Sequence, residues 1–111
     1  MSELSEKKCV PCEGGVQPLS RPEAEKYLRQ LAAGWMLSED VRQIRREYRF
    51  KDFYRTMNFV NGIAYIANSE DHHPDLEIGY NYCNVRFMTH AIKGLSENDF
   101  ICAAKIDRLT G

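Results

Sequence analysis

A proline forces the residue before it out of the helical region, and here Pro74 follows His72 and His73 at the end of the strongest apolar period in the chain. Phe53, Met57, Val60, Ala64 and Ala67 recur at helical spacing behind Asp52, a residue suited to cap a first turn. They predict one long amphipathic helix that stops before His73. Beyond Pro74 the period changes to two, which predicts strands over 75–80 and 83–89. The two adjacent histidines therefore sit where a helix gives way to a hairpin.

Signals on either side complete the element list. Ser20 and Glu23 have capping-box spacing, Pro22 suits a first helical turn, and Ala24, Leu28 and Leu31 continue the period to Gly34, so a helix is expected over 21–33. Trp35, Met36 and Leu37, then Ile44, Tyr48 and Phe50, mark two extended segments around the polar turn Ser38-Glu39-Asp40. A last helix opens at Ser96, with Asp99 at its third position and Phe100, Ala103 and Ile106 following at helical spacing. The order is α-β-β-α-β-β-α, and 111 residues make one domain. Residues 1–19 hold Pro11, Gly14, Gly15 and Pro18 and no apolar period, so they are expected to be a flexible N-terminal arm to a single domain at 20–111.

Fifteen basic and sixteen acidic residues leave a net charge of -1, which supplies no field for nucleic acid or an anionic membrane surface. Arg42, Arg45, Arg46, Arg49, Lys51 and Arg55 alternate with apolar residues and read as a solvated sheet face. No stretch approaches the roughly 20 apolar residues of a membrane span, and the N-terminus lacks the apolar middle of a signal peptide. A cytoplasmic location is expected, with Cys9, Cys12, Cys83 and Cys102 reduced. Cys9 and Cys12 have metal-ligand spacing, but no second such pair follows, and a tail with two thiols is the preferred reading.

The chain has three histidines, and all flank the hairpin. With a turn centred on Asn81-Tyr82, Leu76, Ile78 and Tyr80 face Phe87, Val85 and Cys83, and Glu77 meets Arg86. Extended three residues beyond Leu76 and Phe87, this register sets His73 opposite His90 with Cβ atoms roughly 5 Å apart and His72 one step away. Three convergent imidazoles suit either a metal site or proton transfer. Successive extended residues such as His72 and His73 point apart, which disfavours a shared metal. An imidazole is available in both protonation states near neutral pH, and metal-free general acid and base catalysis is preferred.

The strings EDHHPDLEIGY at 70–80 and FMTHAIKGLSENDFICAAKID at 87–107, with Gly34-Trp35 and FKDF at 50–53, resemble the pterin-4a-carbinolamine dehydratase family over residues 20–108. The resemblance implies an α+β fold, a four-stranded antiparallel sheet with helices packed on one face. It implies a hydro-lyase that removes water from a 4a-hydroxytetrahydropterin to give the quinonoid dihydropterin, recycling the cofactor of aromatic amino acid hydroxylases. His72, His73 and His90 are then the catalytic set, with His72 and His90 sharing acid and base work and His73 holding the pterin. Pro74, Thr89, Ala91 and Trp35 are the implied substrate-binding residues. No cofactor and no metal are implied. Implied partners are the pterin, a homodimer or homotetramer, and as a candidate an aromatic amino acid hydroxylase.

The alternative function is a protein-binding module, a dimerisation cofactor or coactivator of a transcription factor. Two positions bear on the match. Asn68 stands where the family usually has an ionisable residue, and Glu70 or Asp71 could supply the missing carboxylate. Asp99 matches a family aspartate but also reads as a helix-capping residue.

Overall fold

The computed structural model describes residues 3–10 and 17–110; Cys12 lies outside them. Three helices, α1 (Arg21–Leu28), α2 (Phe53–Glu70) and α3 (Glu97–Asp107), accompany strands β1 (Met36–Leu37), β2 (Ile44–Arg49), β3 (Asp75–Ile78) and β4 (Tyr82–Phe87). The sheet is antiparallel throughout, in the order β1-β2-β4-β3. Alternation along the strands decides what each face meets. Ile44, Tyr48, Cys83, Val85 and Phe87 point into a core shared with Phe59 and Ile63 of α2 and Phe100, Ala103 and Ile106 of α3. Arg45, Glu47, Arg49, Glu77 and Arg86 lie on the opposite, exposed face, Arg45 paired to Glu47 at 3.3 Å.

Capping fixes where the helices begin. The Glu23 amide donates to Ser20 Oγ at 3.4 Å while the Glu23 carboxylate accepts from the Ser20 amide at 2.9 Å, and Asp52 caps α2 through the Arg55 amide at 2.9 Å. The first helix ends at Leu28, short of the expected 33, because the chain must turn to bring Ala32 and Trp35 to Asp107 at the end of α3. Asp107 accepts from the Trp35 indole at 2.9 Å, the Tyr48 hydroxyl at 2.6 Å and the Arg46 guanidinium at 2.7 Å. Burial and the bond to Asp107 push the Tyr48 phenol far above its usual range, so it acts there as a donor.

Three further sequence expectations need correction. The buried stripe of α2 is Thr56, Phe59, Val60, Ile63 and Ala67, whereas Phe53 and Ala64 are exposed. Both stripes obey the helical period. The hydroxyl of Thr56 makes its burial tolerable by donating toward the carbonyl oxygens of Asp52 and Tyr80, 2.9 and 3.0 Å away. The hairpin is shifted by two residues: Leu76 pairs with Val85, Ile78 with Cys83, Glu77 with Asn84 and Asp75 with Arg86. Gly79 closes the turn with Tyr82, since a Cβ there would collide with the Tyr82 ring. A two-residue shift keeps the faces, but β3 starts at Asp75, after His73, and β4 ends at Phe87, before His90, so His73 and His90 are not ladder partners. The arm expected to be loose is folded over residues 3–10. Glu3–Glu6 form a 3-10 turn on α3, and Leu4 is buried in the core.

Candidate active site

Where α2, the end of β4 and the start of α3 meet, they enclose a cavity of about 460 Å³. Two left-handed residues shape its rim. Asp71 (φ 52°) ends α2, its amide donating to the carbonyl of Ala67, and turns His72 and His73 away from the helix axis. Lys93 (φ 54°) ends a short 3-10 turn, His90–Ile92, that follows β4. The amide of Thr89 donates to the carbonyl of Gly94 at 2.8 Å and closes that loop on itself. His72, His73 and His90 all line the cavity.

The three imidazoles are held differently. His72 Nε2 lies 2.7 Å from Asp99 Oδ1, its side chain only 12% exposed and Asp99 fully buried. The ring lies parallel to Phe87, 8° between planes with centroids 6.0 Å apart. The other oxygen, Asp99 Oδ2, accepts from the Thr89 hydroxyl at 2.8 Å and the Ser96 amide at 3.0 Å, and the Thr89 and Ser96 hydroxyls are 2.7 Å apart. A carboxylate with two donors on one oxygen offers the other to an N–H, so the contact favours the tautomer of His72 with its proton on Nε2 and Nδ1 left as an acceptor. His73 Nε2 meets the Asn68 amide oxygen at 3.1 Å and is exposed. His90 is exposed and its ring has no hydrogen bond among the described residues. The site thus joins one buttressed imidazole, one lightly held and one unrestrained.

Of the other residues expected at the site, Thr89 and Ala91 line the cavity, Thr89 with its hydroxyl committed to Asp99. Pro74 and Trp35 do not line it. Trp35 is buried against Phe87, ring centroids 6.3 Å apart, and Phe87 in turn lies against His72. Neither Glu70 nor Asp71 reaches an imidazole. Glu70 accepts from the Cys9 amide at 2.8 Å and lies 3.7 Å from Lys105. The carboxylate comes instead from Asp99, which both caps α3 and orients His72.

Sequence reasoning missed Cys9, Val10 and Asn98 on the cavity wall. Their contacts span almost the whole chain, and no local period signals them. Cys9 Sγ is 3.5 Å from Cys102 Sγ. That neighbouring thiol, with burial, pushes Cys102 far above the ordinary thiol range, so it stays protonated. Among the described residues no three His, Cys, Asp or Glu side chains are grouped to hold a metal ion, and no helix is long and apolar enough to cross a membrane.

Residues 17–109 match the family model described as pterin 4 alpha carbinolamine dehydratase. A protein of Nitrosomonas europaea is 58% identical over 107 residues, covering 96% of this chain and 93% of its own. One of Legionella pneumophila (strain Lens) is 58% identical over 108 residues, covering 97% and 96%. Both carry the provisional name pterin-4-alpha-carbinolamine dehydratase. Among solved structures, the transcriptional coactivator/pterin dehydratase from Brucella melitensis superposes with a TM-score of 0.81 at 33% identity, covering 86% of this chain and 100% of that one. A pterin dehydratase-like protein identified as a RuBisCO assembly factor shares the fold, with a TM-score of 0.62 at 22% identity over 70% of this chain and 90% of that one.

Proposed function

Because the chain belongs to the pterin-4a-carbinolamine dehydratase family, we propose that it removes water from a 4a-hydroxytetrahydropterin to give the quinonoid dihydropterin. The observation that carries this reading is the meeting of three histidines on one cavity, one of them fixed by a buried carboxylate.

The reaction breaks the C4a–O bond while N5 loses its proton and the departing hydroxyl gains one. One imidazole accepts the N5 proton and another protonates the leaving oxygen, so a single water departs. The two rings return to their starting states by exchange with solvent. His72 and His90 take these two roles. Asp99 fixes which nitrogen of His72 faces the substrate and steadies positive charge on the ring as it accepts a proton. His73, aligned by Asn68, binds the pterin instead of reacting with it. Thr89 and Ala91 contact the substrate from the wall between β4 and the 3-10 turn. Trp35 acts from behind Phe87, the ring that lies against His72, and Pro74 sets the extended entry to β3. No cofactor enters the scheme.

The test is dehydration of a synthetic 4a-hydroxytetrahydropterin, followed by stopped-flow absorbance after chelator treatment. The wild type is expected to accelerate it, and the His72→Ala/His90→Ala double variant to run near the uncatalysed rate with its circular dichroism unchanged. A wild type at the uncatalysed rate, or a double variant at full rate, contradicts the reading.

We further propose a cytoplasmic homodimer or homotetramer that serves an aromatic amino acid hydroxylase. Tyr54 and Tyr65 on the outer side of α2 are 82% and 76% exposed and suit self-association. The same face favours a second reading as a coactivator module, since the similar Brucella melitensis protein is described as a transcriptional coactivator as well as a pterin dehydratase. Sedimentation of wild type and Tyr54→Glu/Tyr65→Glu at micromolar concentration tests the face, with a mass above one chain expected only for wild type.

A further inference from the structure

The family model matches residues 17–109, yet two residues lining the cavity, Cys9 and Val10, precede that stretch. The segment bearing them is firmly seated. Leu4 is 1% exposed in the core. Lys105 Nζ donates to the carbonyl of Ser5 at 3.0 Å, and Lys7 pairs with Glu97 at 2.7 Å. Nearest the cavity the backbone is gripped in both directions. The Cys9 amide donates to Glu70 at 2.8 Å and the Val10 amide to Asn98 Oδ1 at 3.1 Å, while Asn98 Nδ2 returns a 2.6 Å bond to the Val10 carbonyl.

This anchoring ends in a side chain with little to pack on. Val10 is 65% exposed, although Asn98, which fixes its backbone, is only 4% exposed. A segment that served only to cover α3 would turn its apolar side chain inward, as Leu4 does. Val10 instead lines the cavity while staying exposed, so an occupant could bury apolar surface there. The match to the Nitrosomonas europaea protein covers 96% of this chain and so extends over residues 9 and 10.

We propose that residues 4–10 form a wall of the binding site and that Val10 contacts the bound pterin, setting its affinity. The inference rests on the dehydratase reading given above. Cys9, joined to Glu70 by its amide and to Cys102 by its thiol, seats the wall; Val10 supplies the contact. Proton transfer stays with the histidines, so the wall acts on binding and leaves the chemical step alone.

The test compares Val10→Ser and Val10→Ile with wild type, reading KM and kcat for the 4a-hydroxytetrahydropterin and the Kd of 7,8-dihydropterin by calorimetry. Val10→Ser is expected to raise KM and Kd together by about fivefold with kcat changed less than about twofold, the pattern of lost binding surface. Val10→Ile, which keeps an apolar surface, should hold both within about twofold of wild type. A structural role alone would shift the melting temperature and kcat and leave Kd unmoved. If Val10→Ser binds and turns over like wild type while His72→Ala is impaired, the wall is overturned and the dehydratase reading stands. If the wild type itself does not dehydrate the substrate, the dehydratase reading falls and takes this inference with it.

Discussion

His72 and Asp99, 27 residues apart in sequence, are joined by a 2.7 Å contact between an imidazole nitrogen and a fully buried carboxylate whose other oxygen holds Thr89 and Ser96. Replacing Asp99 with Asn tests what the charge does. Two donors keep the amide oxygen where Asp99 Oδ2 now lies, so the amide NH₂ faces His72 and forces its proton onto Nδ1. The expected result is a fall in kcat of about 10²- to 10⁴-fold, as for a mis-set tautomer, with KM changed little. Steady-state kinetics beside thermal unfolding checks it. A parallel loss of structure would show that the cap, not the tautomer, failed.

Among the described residues, the His73 ring hydrogen-bonds only to the exposed amide of Asn68, at 3.1 Å. Asn68→Ala is therefore expected to raise KM by only about two- to fivefold, the cost of one solvent-accessible hydrogen bond. His73→Ala should raise KM further than it lowers kcat. Kinetics at saturating and limiting pterin separates the two constants.

Away from the cavity, Asp107 ties α3 to β2 and to Trp35 through three side-chain donors. Asp107→Ala leaves a guanidinium, a phenol and an indole N–H short of a partner. It is expected to cost about 3 kcal/mol in urea unfolding, with a much smaller effect on kcat measured where the variant is folded.

Burial pushes the Cys83 thiol from 9.0 up to about 11. The folded form thus holds its proton longer than the unfolded chain does. The sign follows: this contribution to stability is complete below pH 9 and is lost as pH rises to about 11. Urea midpoints of wild type and Cys83→Ala across that window should converge with rising pH. Parallel curves would show that the thiol does not titrate there.

The element order was legible because its signals are local. Ser20 with Glu23, Asp52 before α2 and Pro74 after it each act within a turn of themselves. Register was harder, since the shift of two residues turns on Gly79 packing against Tyr82, a contact that strand alternation does not encode. The convergence of His72 and His90 was readable from their places around a hairpin, although not through the pairing expected of His73 and His90. Asp99 was visible as a cap, but its hold on His72 requires α3 to pack against the end of α2. The arm was least legible. Leu4 is one apolar residue in a polar stretch, and the bonds between Val10 and Asn98 close across 88 residues.

The central claim, that His72 and His90 divide the acid and base work between them, is tested most directly with the two C4a-hydroxyl epimers of the substrate. Their leaving groups project from opposite faces of the pterin, so each epimer should depend more on a different histidine. His72→Ala and His90→Ala, assayed on each epimer separately, should each lose about 10²- to 10⁴-fold on one epimer and much less on the other. Equal losses on both epimers from either variant would contradict the division of roles and show the histidines acting as one unit.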